Sequence, residues 1–256
     1  HPVAIHNVVI GGGEKAEEYC EKISERHSGR LRKIRNASES MPQDGQAAQV
    51  FTARKLGVNI ITNPGAETAS VEAAAGKLAS AGLVDAWESA ESDTPLQVQP
   101  WNGYSMDEGD HLPVPEGAGA NYFLHGTIGG VAIRTIVRQE IDLRRLRSAI
   151  NKGASYRFSA WIGGWQKQKD EARVRIVFLD EDGQQLSDDS IGPVIAADRG
   201  NKNGMCHRQS DGLVPAGTRR VVVEMIFDKE KGGTVSDAAI DLLELVIEKK
   251  QTSSGS

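Results

Sequence analysis

Asp107, Glu108, Asp110 and His111, within MDEGDH, form the densest group of metal-ligating and acid-base side chains in the sequence. Carboxylates and an imidazole could hold a cation, and a pair of carboxylates is what glycoside hydrolysis requires. Neighbouring residues rarely all point inward, however, and a catalytic pair must face across a cleft at a set separation. The glycine and proline around the cluster therefore read as a solvated loop. A second group is aromatic: Trp101 and Tyr104 in PWNGYS, and Trp161 and Trp165 on either side of IGG. Sugar rings present apolar C–H faces, so aromatic rings beside polar side chains suit glycan recognition. Trp161 sits inside an alternating run and reads as core, whereas Trp165 follows two glycines and reads as the ring nearer a loop. A third group lies in AADRGNKNGMCHRQ, where Arg199, Asn201, His207 and Arg208 could donate to hydroxyls or a carboxylate. Simpler roles fit them too: Arg199 pairing with Asp198 or Asp170, and His207 on a strand surface. Nowhere do a nucleophile, a base and an orienting group stand together, so no catalytic residue is assigned.

Composition narrows the partners. Thirty basic against 35 acidic residues among 256 leave a net charge of -5, which argues against a non-specific grip on nucleic acid. The longest apolar runs, RVVVEMIF and LLELVI, are too short to insert across a bilayer. The chain opens at His1 with no leader pattern, as a mature secreted chain or a trimmed one would. Cys20 and Cys206 match no zinc spacing. They read either as one long-range disulfide of an extracellular protein or as two unlinked thiols.

Two grammars organise the chain. Up to residue 62 the pattern is strand (VAIHNVVIGG), helix closed by Gly29, strand (RLRKIRNAS), helix from Asp44 to Gly57, and strand (VNIIT), a small α+β layer. Beyond it, alternating runs dominate: ASYRFSAWIGGW, ARVRIVFLD, TRRVVVEMIFD and IDLLELVIE predict strands of an all-β sandwich. EDG at 181–183 predicts a hairpin turn, and Pro215 with Gly217 a turn that feeds RRVVVEM into the sheet in one register. VEAAAGKLASAG is the helical exception, and the polar stretch 88–121 reads as a binding loop or a covering flap.

Four segments in order, NPGAET at 63–68, SAWIGGWQKQKDEARVRIVFLDEDG at 159–183, GPVIAADRGNKNGMCHRQSDGLVPAGTRRVVVEM at 192–225 and SDAAIDLLEL at 236–245, resemble the galactose-binding-like jelly-roll modules of secreted microbial proteins, relatives in architecture of carbohydrate-binding modules. In topology the first segment resembles the ferredoxin-like propeptide of subtilisin-type proteases, but no subtilase motif follows. The resemblance implies a mainly β protein: an antiparallel jelly-roll sandwich over 63–248 preceded by the α+β (ferredoxin-like) domain 1–62 and followed by a flexible tail 249–256. It also implies a structural calcium ion held by Glu67 and Asp241, which would pin the first and last strands. The expected function is a secreted or cell-surface, non-catalytic module that binds a glycan or another extracellular partner. An assembly subunit of an extracellular layer, self-associating through the same sandwich, is the second reading, and a protease-inhibitor or propeptide-like regulator the third.

Overall fold

The computed structural model describes residues 50–68, 84, 86–91, 96–101, 109–125, 134–230 and 236–249. The chain divides into two units, His1–Gln46 and Ala47–Ser256. The proposed helices and strands before residue 50, Cys20, Tyr104 and the VEAAAGKLASAG run lie outside the described residues.

Among the described residues eleven strands follow one another: β1 (Val50–Thr52), β2 (Glu88–Glu91), β3 (Gln97–Pro100), β4 (Asn121–Leu124), β5 (Arg134–Asp142), β6 (Ser155–Gly164), β7 (Glu171–Leu179), β8 (Gln185–Ile191), β9 (Gly204–Leu213), β10 (Arg220–Asp228) and β11 (Ala239–Glu248). They form two sheets. The first runs β1-β5-β10-β7-β8 with β2 also on β5, and the second runs β3-β4-β11-β6-β9. All pairings are antiparallel except the short edge pairing of β1 with β5. From β4 onward the chain passes repeatedly from one sheet to the other, so the mainly β sandwich expected from the alternating runs is what forms.

The period of two explains the core. In β5, Thr135, Val137, Gln139 and Ile141 are buried while Arg134 and Arg138 are exposed. Their β10 counterparts Val221, Val223, Met225 and Phe227 are also buried, as are Phe158, Ile162 and Ile176 from β6 and β7. Gly163 is required where β6 and β9 meet, because a Cβ there would overlap the Gly204 carbonyl. The turn after Pro215 forms as its residues predict: the Pro215 carbonyl accepts Thr218 N–H at 3.2 Å, and Gly217 takes φ +90.

Residues before the expected boundary at 62 take part in the sandwich. Val50–Thr52 is a sandwich strand and no helix runs to Gly57. Residues 57–61 run beside β11, with Gly57 N–H donating to Ile247 and Ile60 N–H to Leu245. The helix expected from Asp44 to Gly57 yields at 50–52 to pairing with β5, a tertiary gain that outweighs local propensity.

Two polar clasps close the sandwich. Asp189 of β8 accepts the Tyr156 hydroxyl at 2.7 Å and the Ser210 hydroxyl at 2.6 Å, joining the sheets along one edge. Burial, then the Asp189 contact, raises the Tyr156 hydroxyl well above its ordinary range. At one end His125, fully buried, meets Ser236 Oγ at 2.8 Å and Thr135 Oγ1 at 3.0 Å and stacks on Phe227.

Candidate functional site

The outward face of the first sheet carries the site, and pairing register builds it. Arg134, Asp228 and Glu171 stand side by side across β5, β10 and β7. Two residues further along come Ile136, Ile226 and Arg173, then Arg138, Glu224 and Arg175, the last beside Ser190 of β8. Successive rows are about 7 Å apart, two residues of an extended strand. Between them lies a groove of about 410 Å³. Ile136 and Ile226 form its apolar floor, Arg134, Arg173 and Arg175 supply donors, and Asp188, Glu224 and Ser190 complete the wall.

Ion pairs hold these groups in place. Arg134 grips Asp228 with two N–H groups, at 2.6 and 3.3 Å, and Arg173 Nη2 reaches the same carboxylate at 2.5 Å. One anion therefore anchors two guanidiniums. At the other end the ratio reverses, for Arg175 donates to Asp188 at 3.0 Å and to Glu224 at 3.4 Å. Such fixed planar groups can face the hydroxyls of a ligand without first being ordered.

The residues singled out in the sequence take other places. Trp101 is buried at 7% exposure, packs on Tyr122 and donates Nε1–H to Asp241 at 3.0 Å, so it is no open platform. Its run ends β3 beneath the segment that includes Ala118, which covers this end of the second sheet. Arg199 is also buried, at 2% exposure, and its guanidinium donates to the carbonyls of Gly164, Gln166 and Lys202. It fastens the loop after β6 to the short 3-10 turn Ala196–Arg199, which corrects both the rim role and the expected pairing with Asp198 or Asp170. Asp198 instead pairs with Arg208 at 2.9 Å, while Asp170 accepts the backbone N–H of Glu230 and Asp237.

Asn201 is exposed in a left-handed turn, and Trp165 is half-buried just after β6. His207 is exposed on the outer face of the second sheet, with its ring 5.5 Å from that of Trp161. Trp161 thus faces away from the main core, contrary to its expected place inside it. From MDEGDH, Asp110 pairs with Lys202 at 2.9 Å and His111 makes a bridge to Asn203, while Asp107 and Glu108 lie outside the described residues. Among the described residues, no group of three or more His, Cys, Asp and Glu side chains is placed to hold a metal ion. Cys206 is half-buried, and burial raises its thiol.

Glu67 and Asp241 do come together with the opening loop of the sandwich. Gly65 faces Asp241, where a Cβ would lie 3.0 Å from Oδ1, and Gly119 faces the Glu67 carboxylate. The Glu67 oxygens accept Ala120 and Asn121 N–H, each at 3.0 Å. Those of Asp241 accept Leu242 N–H at 2.7 Å and the Trp101 indole. Burial pushes the Asp241 carboxyl up to about 7; the two donors oppose this and the charge of Glu67 adds to it. Asn63, Ala66 and Leu242 all adopt positive φ here, an unusual concentration for residues other than glycine.

The groove was missed in the sequence because its residues come from four strands, each of which reads only as alternating charge. One signal was present: Ile136 and Ile226 occupy outward positions in strands whose other outward residues are largely charged.

No described protein family and no curated protein matches the chain. Among solved structures, the enzymatically active domain of tailspike protein 4 from bacteriophage CBA120 is 15% identical at a TM-score of 0.47, over 74% of this chain and 21% of that one. The present chain therefore spans about a fifth of the tailspike. A family 16 carbohydrate-binding module is 16% identical at 0.43, over 73% and 99% of the two chains. A family 22 xylan-binding domain from Paenibacillus barcinonensis is 12% identical at 0.37, over 66% and 89%. These similarities concern the sandwich and assign neither ligand nor activity to this chain.

Proposed function

We propose that this chain is a secreted or cell-surface, non-catalytic module that binds carbohydrate in the groove across β5, β10, β7 and β8. The observation that carries the reading is the groove itself: an apolar floor of Ile136 and Ile226 inside a wall of pre-positioned guanidiniums and carboxylates. A pyranose has a C–H face to lay on such a floor and hydroxyls at its rim that both donate and accept. Asp188 and Glu224 both accept from the same guanidinium, an arrangement that holds them in place to accept from hydroxyls. No helix among the described residues is long and apolar enough to cross a membrane.

Arg175→Met tests the reading, since it keeps the stem and removes the group that orients both carboxylates. Charge-assisted hydrogen bonds contribute about 1.5–3 kcal/mol each, so a glycan found on an array should bind at least about tenfold more weakly by calorimetry. Unchanged affinity in Arg175→Met and in Glu224→Gln would remove the groove from consideration. His207, beside Trp161, and Trp165 stand as secondary candidates on the opposite side of the sandwich. A loss confined to Trp165→Ala would move the site there.

Calcium fits the loop at Glu67 and Asp241. Each carboxylate oxygen already accepts one N–H and keeps a lone pair, and a hard divalent cation prefers oxygen donors. Bound there, it would supply positive charge to a buried carboxylate and tie the opening loop to β11, a structural role.

A further inference from the structure

We infer that the end of the sandwich where the chain crosses between its two sheets, at 53–57, 143–154 and 214–219, is a docking surface for an anionic phospholipid bilayer, independently of the groove. Register brings the three crossings together. Thr52, Asp142, Arg220 and Leu179 form the last row of the first sheet, and Glu248, Ser155 and Leu213 the last row of the second. Backbone bonds tie the crossings to these rows: Ala53 N–H donates to Asp142 at 3.0 Å, Leu143 N–H to Arg219 at 2.8 Å and Val214 N–H to Ala154 at 2.9 Å. Ile136 of the groove floor lies six residues back from Asp142 on β5, about 20 Å away along the strand.

The three crossings hold seven Lys and Arg residues and no Asp or Glu, in a chain whose net charge is -5. Arg54 and Lys55 lie on the first and Arg219 on the third. The second reads LRRLRSAINK, and its helical spacing decides what faces out: Leu143, Leu146 and Ile150 are buried in the core, so Arg144, Arg145 and Arg147 are turned to solvent, as is Lys152. Neighbouring acids take only part of this charge. Asp142 binds Arg144 at 3.0 Å and feels Arg145 from further away, and Glu181 reaches Arg144 at 3.6 Å and Arg219 at 3.8 Å. Glu248 is held by Arg157 at 3.1 Å, and Asp180 accepts two N–H groups of its own hairpin. Against the exposed Asp182 and Asp211 stand five cations, Arg54, Lys55, Arg145, Arg147 and Lys152, the seven less Arg144 and Arg219, that form no ion pair among the described residues. Exposed aliphatic side chains accompany them. Val58 directly follows the first crossing at 46% exposure, Leu213 directly precedes the third at 62%, and Leu186, at 40%, has its Cδ1 3.9 Å from where a Cβ on Gly217 would stand. A soluble polyanion would engage the cations and leave these side chains in water. A bilayer interface takes both, its phosphates meeting the guanidiniums and its headgroup–acyl boundary receiving the leucines and valine.

Flotation of the full chain with vesicles of equimolar phosphatidylcholine and phosphatidylserine, set against vesicles of phosphatidylcholine alone, provides the test. The expected result is binding to the anionic vesicles that falls as salt rises, and far weaker binding to the neutral ones. Arg145→Gln combined with Arg147→Gln should weaken it about 25-fold, about fivefold for each cation removed, and Leu213→Ser should weaken it at least about threefold with the charge unchanged. All these positions are exposed, and melting temperatures check that each variant is folded. No binding to the anionic vesicles, or equal binding to the neutral ones, overturns the docking surface, as does unchanged binding in the double arginine variant. Unchanged vesicle binding in both Leu213→Ser and Val58→Ser overturns the bilayer as the partner and points instead to a soluble polyanion.

Discussion

Lowering the pH should weaken this fold through one residue, His125. Its ring is fully buried where the two sheets close, between Ser236, Thr135 and Phe227. Burial lowers its pKa from 6.5 to about 4, with Asp228 opposing and Lys229 reinforcing the shift. The folded pKa is depressed below the unfolded one, so the unfolded chain takes up a proton first as the pH falls. The stabilisation is therefore complete above about 6.5, shrinks steadily between 6.5 and about 4, and is gone below that. At about 1.4 kcal/mol per pH unit, that interval amounts to roughly 3 kcal/mol, a sizeable share of the stability of an ordinary domain. Urea denaturation at about pH 7 and about pH 4, in the native chain and in His125→Gln, isolates the effect, because the carboxylates titrate alike in both. The native chain should lose about 3 kcal/mol more than the variant over that range. Equal losses would refute the reasoning. Thr135 adjoins Arg134 and Phe227 adjoins Asp228 in their strands, so the same protonation should loosen the groove end that holds those two groups.

The other outcomes are more local. Calcium at millimolar concentration should raise the melting temperature and a chelator should reverse the rise, whereas Asp241→Asn should show neither response; an unchanged melting temperature in the native chain would remove the ion. Tyr156→Phe deletes the hydroxyl that Asp189 accepts at 2.7 Å and should cost about 1–2 kcal/mol in denaturant titration, since Ser210 still satisfies that carboxylate. A cost under about 0.3 kcal/mol would mean that the edge clasp contributes nothing measurable to the fold.

Strands and turns were legible in the sequence wherever the alternation was strong and bounded. The runs at 155–164, 171–179, 220–228 and 239–248 became β6, β7, β10 and β11, and the turn after Pro215 formed as its residues required. β5 went unremarked although it lies at the heart of the first sheet, because its inward side includes Thr135 and Gln139, polar residues that blur the period. Both are satisfied by long-range partners, Thr135 by His125 and Gln139 by Thr62 and Ala86, and nothing local announces such partners. Trp101 and Arg199 misled for a related reason. An indole N–H and a guanidinium look like ligand-binding groups until a buried acceptor is found for them, and those acceptors lie 140 and 35 residues away in Asp241 and Gly164. The groove shows the converse. Arg173 and Arg175 read as solvated charges on an alternating strand, and only the register places Asp228 beside Arg134, within reach of Arg173, and Glu224 between Arg138 and Arg175. Residue type says that a charge is present, whereas its function depends on whether the neighbouring strand brings an equal number of opposite charges, which is a property of pairing and not of either strand alone.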